Sequence, residues 1–114
     1  MAKDDYFVIV YQILSYLYQR LKKGENVDAV LLSHDGPLFK INKSYWAYIL
    51  YHMQETGLIE GVAFYKLDGM SSPVPADWKD CQITPEGIAY LCDNSLMEKA
   101  KAFLKDVKEI APFI

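Results

Sequence analysis

The apolar positions of this chain fall into a few runs whose spacing changes from helical to extended and back. From Asp4 to Lys23 the residues Phe7, Val10, Tyr11, Leu14, Leu17, Tyr18 and Leu21 make one stripe at helical spacing. Acidic residues open this segment, and Arg20, Lys22 and Lys23 close it before Gly24, the charge order that suits a helix dipole. Val8, Ile9, Ile13 and Tyr16 lie off the stripe, so the helix is apolar on more than one side. Such a helix is buried all round, which predicts either a central position or a second face covered by a partner subunit. Asp28 is placed to cap a short helix over Ala29 to Ser33, and Asp35-Gly36-Pro37 then turns the chain. Asn42 caps a third helix from Lys43 to Thr56, ended by Gly57. On it Trp46, Ile49, Leu50 and Met53 form the core side, while Ser44, Ala47, Tyr48, Tyr51, His52 and Glu55 face solvent or a partner.

Beyond Gly57 the pattern becomes extended. "LIEGVAFYKL" is rich in β-branched and aromatic residues and predicts a strand; "DGMSSPVPADWKD" reads as a long, turn-rich loop, and "CQIT" as the short returning strand. Thr84-Pro85-Glu86-Gly87 then starts a helix. The threonine hydroxyl caps it, and proline takes a first position that needs no N–H. Glutamate suits the positive end of the dipole, and glycine lets the helix start lie close to a neighbouring backbone. The helix ends near Asp93, and Ser95 with Glu98 has the spacing of a capping box for a last helix. In that helix Leu96, Ala100, Phe103, Leu104, Val107 and Ile110 continue at helical spacing to Pro112.

This order of elements predicts a mainly α chain with a small β-hairpin, in the form of a winged helix-turn-helix with an added C-terminal helix, occupying residues 1–114 as a single domain. The segments "ETGLIEGV", "ITPEGIAYL" and "NSLMEKAKAFLKDVKEIAPFI" carry a resemblance to the YjcQ family of small bacterial and prophage-associated winged-helix proteins. The resemblance implies the fold, together with a suspected role in DNA binding for proteins otherwise described as uncharacterised.

Composition constrains that role. With 114 residues and 52 % hydrophobic content the chain can build a core, but its net charge of −3 and pI near 5.3 are unlike a protein held on nucleic acid by bulk charge. Contact with double-stranded DNA therefore needs a local patch. Lys43 and Ser44 at the start of the third helix would reach phosphates, Ala47, Tyr48, Tyr51 and His52 would lie at base edges, and Lys66 and Lys79 of the hairpin would touch adjacent backbone. The third helix has one Lys and one Glu, for no net charge, and its tyrosines equally suit a protein partner. Two readings follow. One is a winged-helix DNA-binding protein, a prophage-type regulator, dimeric through its first and last helices so that two recognition helices address half-sites ~34 Å apart. The other is a winged-helix protein-interaction module that does not bind DNA.

Catalytic chemistry has little support. Ser33, His34 and Asp35 have the residue types of a hydrolase triad, but as consecutive residues they cannot form its chain of hydrogen bonds, and they read as a polar turn. Asp77, Asp80 and Glu86 read as solvent-facing and capping groups. His52 has no partner at ligand spacing, and Cys81 and Cys92 lack the paired spacing of a zinc or redox motif. The expectation is a protein with no catalytic residues, no metal and no cofactor. The apolar run Tyr6 to Tyr18 is shorter than the ~20 residues a bilayer span needs, and no small-residue cleavage site follows it. A cytoplasmic protein with reduced thiols is expected.

Overall fold

The computed structural model describes residues 1–107, so the expected end of the last helix at Ile110 and Pro112 lies outside them. The described residues are mainly helical, with four helices and two small antiparallel sheets: α1 (Tyr6–Lys23), α2 (Lys43–Glu55), β1 (Ile59–Glu60), β2 (Ala63–Tyr65), β3 (Val74–Asp77), β4 (Gln82–Ile83), α3 (Pro85–Asp93) and α4 (Ser95–Asp106).

The side chains of α1 explain why its apolar residues exceed one stripe. Every residue from Val8 to Leu17 is buried, because α2, α3, α4 and β4 of the same chain pack around the helix. Of the two outcomes its composition allowed, α1 takes the central one. Its polar members are satisfied inside: the Gln12 carboxamide donates to the Leu38 carbonyl at 3.2 Å, and the Tyr16 hydroxyl accepts from the Asp28 N–H at 2.8 Å.

The short helix expected over Ala29 to Ser33 does not form. Residues 29–36 are consecutive turns, with Leu31 N–H bonded to Asp28 O and Ser33 N–H to Val30 O, although Asp28 does accept from Val30 N–H as a cap would. A helix of five residues barely exceeds its own nucleus. Here two of its carbonyls are also taken by side chains, Ala29 O by the Trp78 indole and Leu32 O by the Trp46 indole.

The strand expected across "LIEGVAFYKL" is broken at Gly61, whose φ of 89° lies in the left-handed region. The loop expected to follow contains a strand of its own. β1 pairs with β4 (Ile59 opposite Ile83), and β2 pairs with β3 (Phe64 opposite Pro75, Tyr65 opposite Val74), so the hairpin is two short ladders in series. Gln54 spans the break: its Oε1 accepts from Val62 N–H at 2.9 Å, and its Nε2 donates to Val62 O at 3.0 Å. Together these satisfy the backbone of Val62, which with Gly61 lies between the two ladders.

Thr84 caps α3 as expected, its hydroxyl accepting from Gly87 N–H at 3.0 Å and donating to the Gly57 carbonyl. A Cβ on Gly87 would stand 2.1 Å from Leu58 O, so the glycine is required by the close approach of α3 to the end of α2. The α4 cap is one residue earlier than expected. Asn94, in extended conformation, accepts from Leu96 N–H at 2.8 Å and leaves Ser95 as the first helical residue, so the Ser95–Glu98 box is not made. Among the described residues no helix is long and apolar enough to cross a membrane.

Candidate interaction surface

The core side of α2 is as its spacing predicts: Trp46, Ile49, Leu50 and Met53 are buried. Ala47 is buried with them and leaves the expected contact set, because the β2–β3 hairpin packs beside the helix and covers that flank. What remains outside is a narrow strip. Asn42 Oδ1 accepts from Ser44 and Tyr45 N–H, fixing the helix start with Lys43 and Ser44 exposed. Tyr48 is 51 % exposed, with its ring 4.3 Å from that of His52. Tyr51 stands edge-on to His52 at 5.3 Å and edge-on to Phe64 of β2 at 5.5 Å, so the strip continues from helix to hairpin. The Tyr51 hydroxyl hydrogen-bonds the Glu55 carboxylate, which raises its pKa.

The aromatic surface extends further than the sequence pattern indicated. The Tyr6 hydroxyl at the start of α1 is raised in pKa chiefly by burial and then by the neighbouring hydroxyls of Tyr90, Tyr48 and Tyr45. Tyr45 donates to the Asp4 carbonyl at 2.7 Å. Residues of α1, α2 and α3 thus bring their tyrosine hydroxyls near that of Tyr6 in one aromatic band, which Tyr51 and Phe64 continue onto β2. No local signal marks Tyr6 or Tyr90 as members, since each reads as part of its own helix, and only the packing of α1 between α2 and α3 brings them together.

The hairpin cations do not join this band as a group. Lys66 is exposed just past β2. Lys79 lies 3.8 Å from Asp77 and lines a small depression with Arg20, Glu25 and Asp80 at the far end of α1. Tyr6 and Arg20 mark the two ends, ~21 Å apart at 1.5 Å per residue, so Lys79 and the Tyr48 neighbourhood are separate places. Arg20 is itself engaged, with Glu25 at 3.0 Å and the Tyr16 hydroxyl at 3.1 Å.

The polar turn has no catalytic geometry. The Ser33 hydroxyl donates to Asp35 Oδ1 at 2.8 Å, which with nearby His34 holds the Asp35 carboxyl below its usual range. His34 turns its Nδ1 towards Ile41 O at 3.3 Å and its ring towards Trp46. The acid, rather than the base, therefore engages the hydroxyl, and a nucleophile–base pair is not made. Among the described residues no group of three His, Cys, Asp or Glu side chains could hold a metal ion. Burial pushes the Cys81 thiol up to about 12, whereas Cys92 is exposed.

Compared with known proteins, the chain matches the family described as YjcQ protein over residues 11–110. No curated protein and no solved structure matches it.

Proposed function

The chain belongs to the YjcQ family, and from that premise we propose that it is a winged-helix protein-interaction module, without enzymatic activity, whose contact surface is the exposed face of α2 and the adjoining hairpin. In this reading α1, the 28–41 turns and α2 stand for the three helices of the winged helix, and β2–β3 is the wing. The observation that carries it is the composition of the face: Tyr48 and Tyr51 each in ring contact with His52, continued by Phe64, with Lys43 and Glu55 the only charged residues of α2. Aromatic side chains offer large contact area for little conformational entropy and are enriched where proteins bind proteins.

A DNA-binding regulator is the second reading, favoured by the exposed Lys43 and Ser44 at the start of α2 and by Lys66 beside the hairpin tip. Two such cations release few counterions, and the separation of Lys79 from Tyr48 weakens a continuous positive track. Fluorescence anisotropy with a mixed duplex library at two salt concentrations separates the two. Absence of salt-steep binding is the expected result. Binding that falls steeply with salt and is lost in Lys43→Ala and Tyr48→Ala overturns the protein-interaction reading in favour of DNA.

A further inference from the structure

The chain contains two Asp-Gly pairs, Asp35-Gly36 and Asp68-Gly69, each at a turn. In such a pair the aspartyl side chain can react with its own backbone, because the glycine nitrogen is not shielded by a Cβ. That nitrogen attacks the side-chain carboxyl carbon and closes a five-membered succinimide. One N–C bond forms, the C–OH bond breaks, and the amide proton leaves with the hydroxyl as water. A water molecule then reopens the ring. Attack at the main-chain carbonyl leaves the chain running through the former side chain, as isoaspartate, with no net change in atoms. Three conditions favour the reaction in a folded chain: a free glycine N–H, room for the turn to bring it onto the carboxyl carbon, and a protonated carboxyl.

The first pair is held back on every count. Gly36 is buried, its N–H donates to Ser33 O at 3.2 Å, and a Cβ there would stand 2.2 Å from Val30 O, so its backbone has no room to swing. The Asp35 carboxylate accepts from the Ser33 hydroxyl at 2.8 Å, which with His34 favours its ionised form. The second pair is open. Asp68 and Gly69 are both exposed, next to Leu67 at 62 % exposure, and neither the Asp68 carboxylate nor the Gly69 N–H has a partner among the described residues. No atom lies within 4 Å of a Cβ placed on Gly69. Its φ of 88° ties the turn to glycine, so the residue that the turn requires is also the one with the least shielded nitrogen. We propose that Asp68, at the tip of the β2–β3 hairpin, is a site of spontaneous isoaspartate formation, and that the fold protects Asp35 from the same reaction. The product adds a main-chain carbon inside the turn that Met70 N–H closes onto Leu67 O at 3.0 Å, so the tip beside Lys66 changes shape while the core does not. This holds whichever partner the α2 face takes.

Ageing of the full chain followed by peptide mapping tests the proposal. The protein is incubated for weeks at mildly acidic pH, where part of the carboxyl is protonated, and then digested with trypsin. Cleavage after Lys23, Lys40, Lys66 and Lys79 puts the two pairs in separate peptides, 24–40 and 67–79. Isoaspartate leaves the peptide mass unchanged, but it shifts the elution time and gives its own fragments on electron-transfer dissociation. In the native chain the 67–79 peptide is expected to convert about tenfold faster or more than 24–40, since the protected pair must wait for its turn to open. In denaturing urea the two peptides should convert at comparable rates, which assigns the difference to the fold. Asp68→Glu keeps the charge but would need a six-membered ring, and should abolish conversion in 67–79. A 67–79 peptide that stays unconverted in the native chain, a ratio of rates that is the same in urea as in the native chain, or conversion that persists in Asp68→Glu overturns the proposal.

Discussion

Trp46 and Trp78 stand edge to face with ring centroids 5.0 Å apart, and both indole N–H groups are bound to carbonyls of the same short turn segment. Trp46 donates to Leu32 O at 2.8 Å and Trp78 to Ala29 O at 2.9 Å. The pair holds residues 29–36 in place where a helix of its own would be too short to persist. Trp46→Phe removes ring volume from a fully buried site and leaves the Leu32 carbonyl without its donor; a loss of about 3 kcal/mol is expected in urea unfolding. Trp78, half-buried, should lose about half as much on the same change.

Gly87 tests the junction of α3 with the end of α2. An alanine Cβ there would meet Leu58 O at 2.1 Å and Ile83 Cγ1 at 2.8 Å, and the first of these is backbone that cannot rotate aside. Gly87→Ala is expected to cost about 3 kcal/mol or more, or to abolish cooperative unfolding, whereas Glu86→Ala at the exposed neighbouring position should stay within about 1 kcal/mol. Equal thermal melts for the two variants would refute the role given to the glycine.

The junction was legible in the sequence because its signals are local. Thr84, Pro85 and Gly87 announce a helix start by what each does to its own backbone, and the structure agrees residue by residue. The α1 composition was legible in the same way, as burial on all sides. The α2 face was legible only in part: spacing separated Trp46 from Tyr48 but could not foresee that the hairpin covers Ala47, or that Tyr6 and Tyr90 arrive beside Tyr48. These facts depend on which elements pack together. The break at Gly61 and the strand hidden around Pro75 were missed for a related reason, since a ladder two or three residues long leaves little periodicity to read.

Gln54 sets how the hairpin leaves α2. Its carboxamide gives one donor and one acceptor to Val62, a geometry that needs both ends of the amide. Gln54→Glu exchanges the donor for a carboxylate oxygen facing the Val62 carbonyl, and a destabilisation of about 2 kcal/mol is expected near neutral pH, partly recovered when the carboxyl is protonated. Hydrogen exchange should also show Val62 and the β2–β3 amides losing protection ahead of α1. Unchanged exchange at Val62 would mean that the clamp carries no weight in solution.

The two cysteines should separate cleanly in reactivity, since the thiolate is the nucleophile and burial holds Cys81 in its thiol form. Cys92 is exposed on α3 and should react with Ellman's reagent at pH 8 in the native protein, whereas Cys81, buried beside β4, should react only in denaturant. The same burial has a signed effect on stability. Cys81 stays protonated in the folded chain up to about 12, while in the unfolded chain it ionises near its ordinary 9.0. Between those values the unfolded state binds fewer protons, so stability falls as pH rises, by at most about 1.4 kcal/mol per pH unit from this group. Below pH 9 both states hold the proton and the contribution is flat. The effect of this one thiol is isolated by comparison with Cys81→Ala, whose stability should decline less steeply with pH than that of the wild type. Parallel declines, or native labelling of both thiols at pH 8, would show that the 81 position opens to solvent without global unfolding.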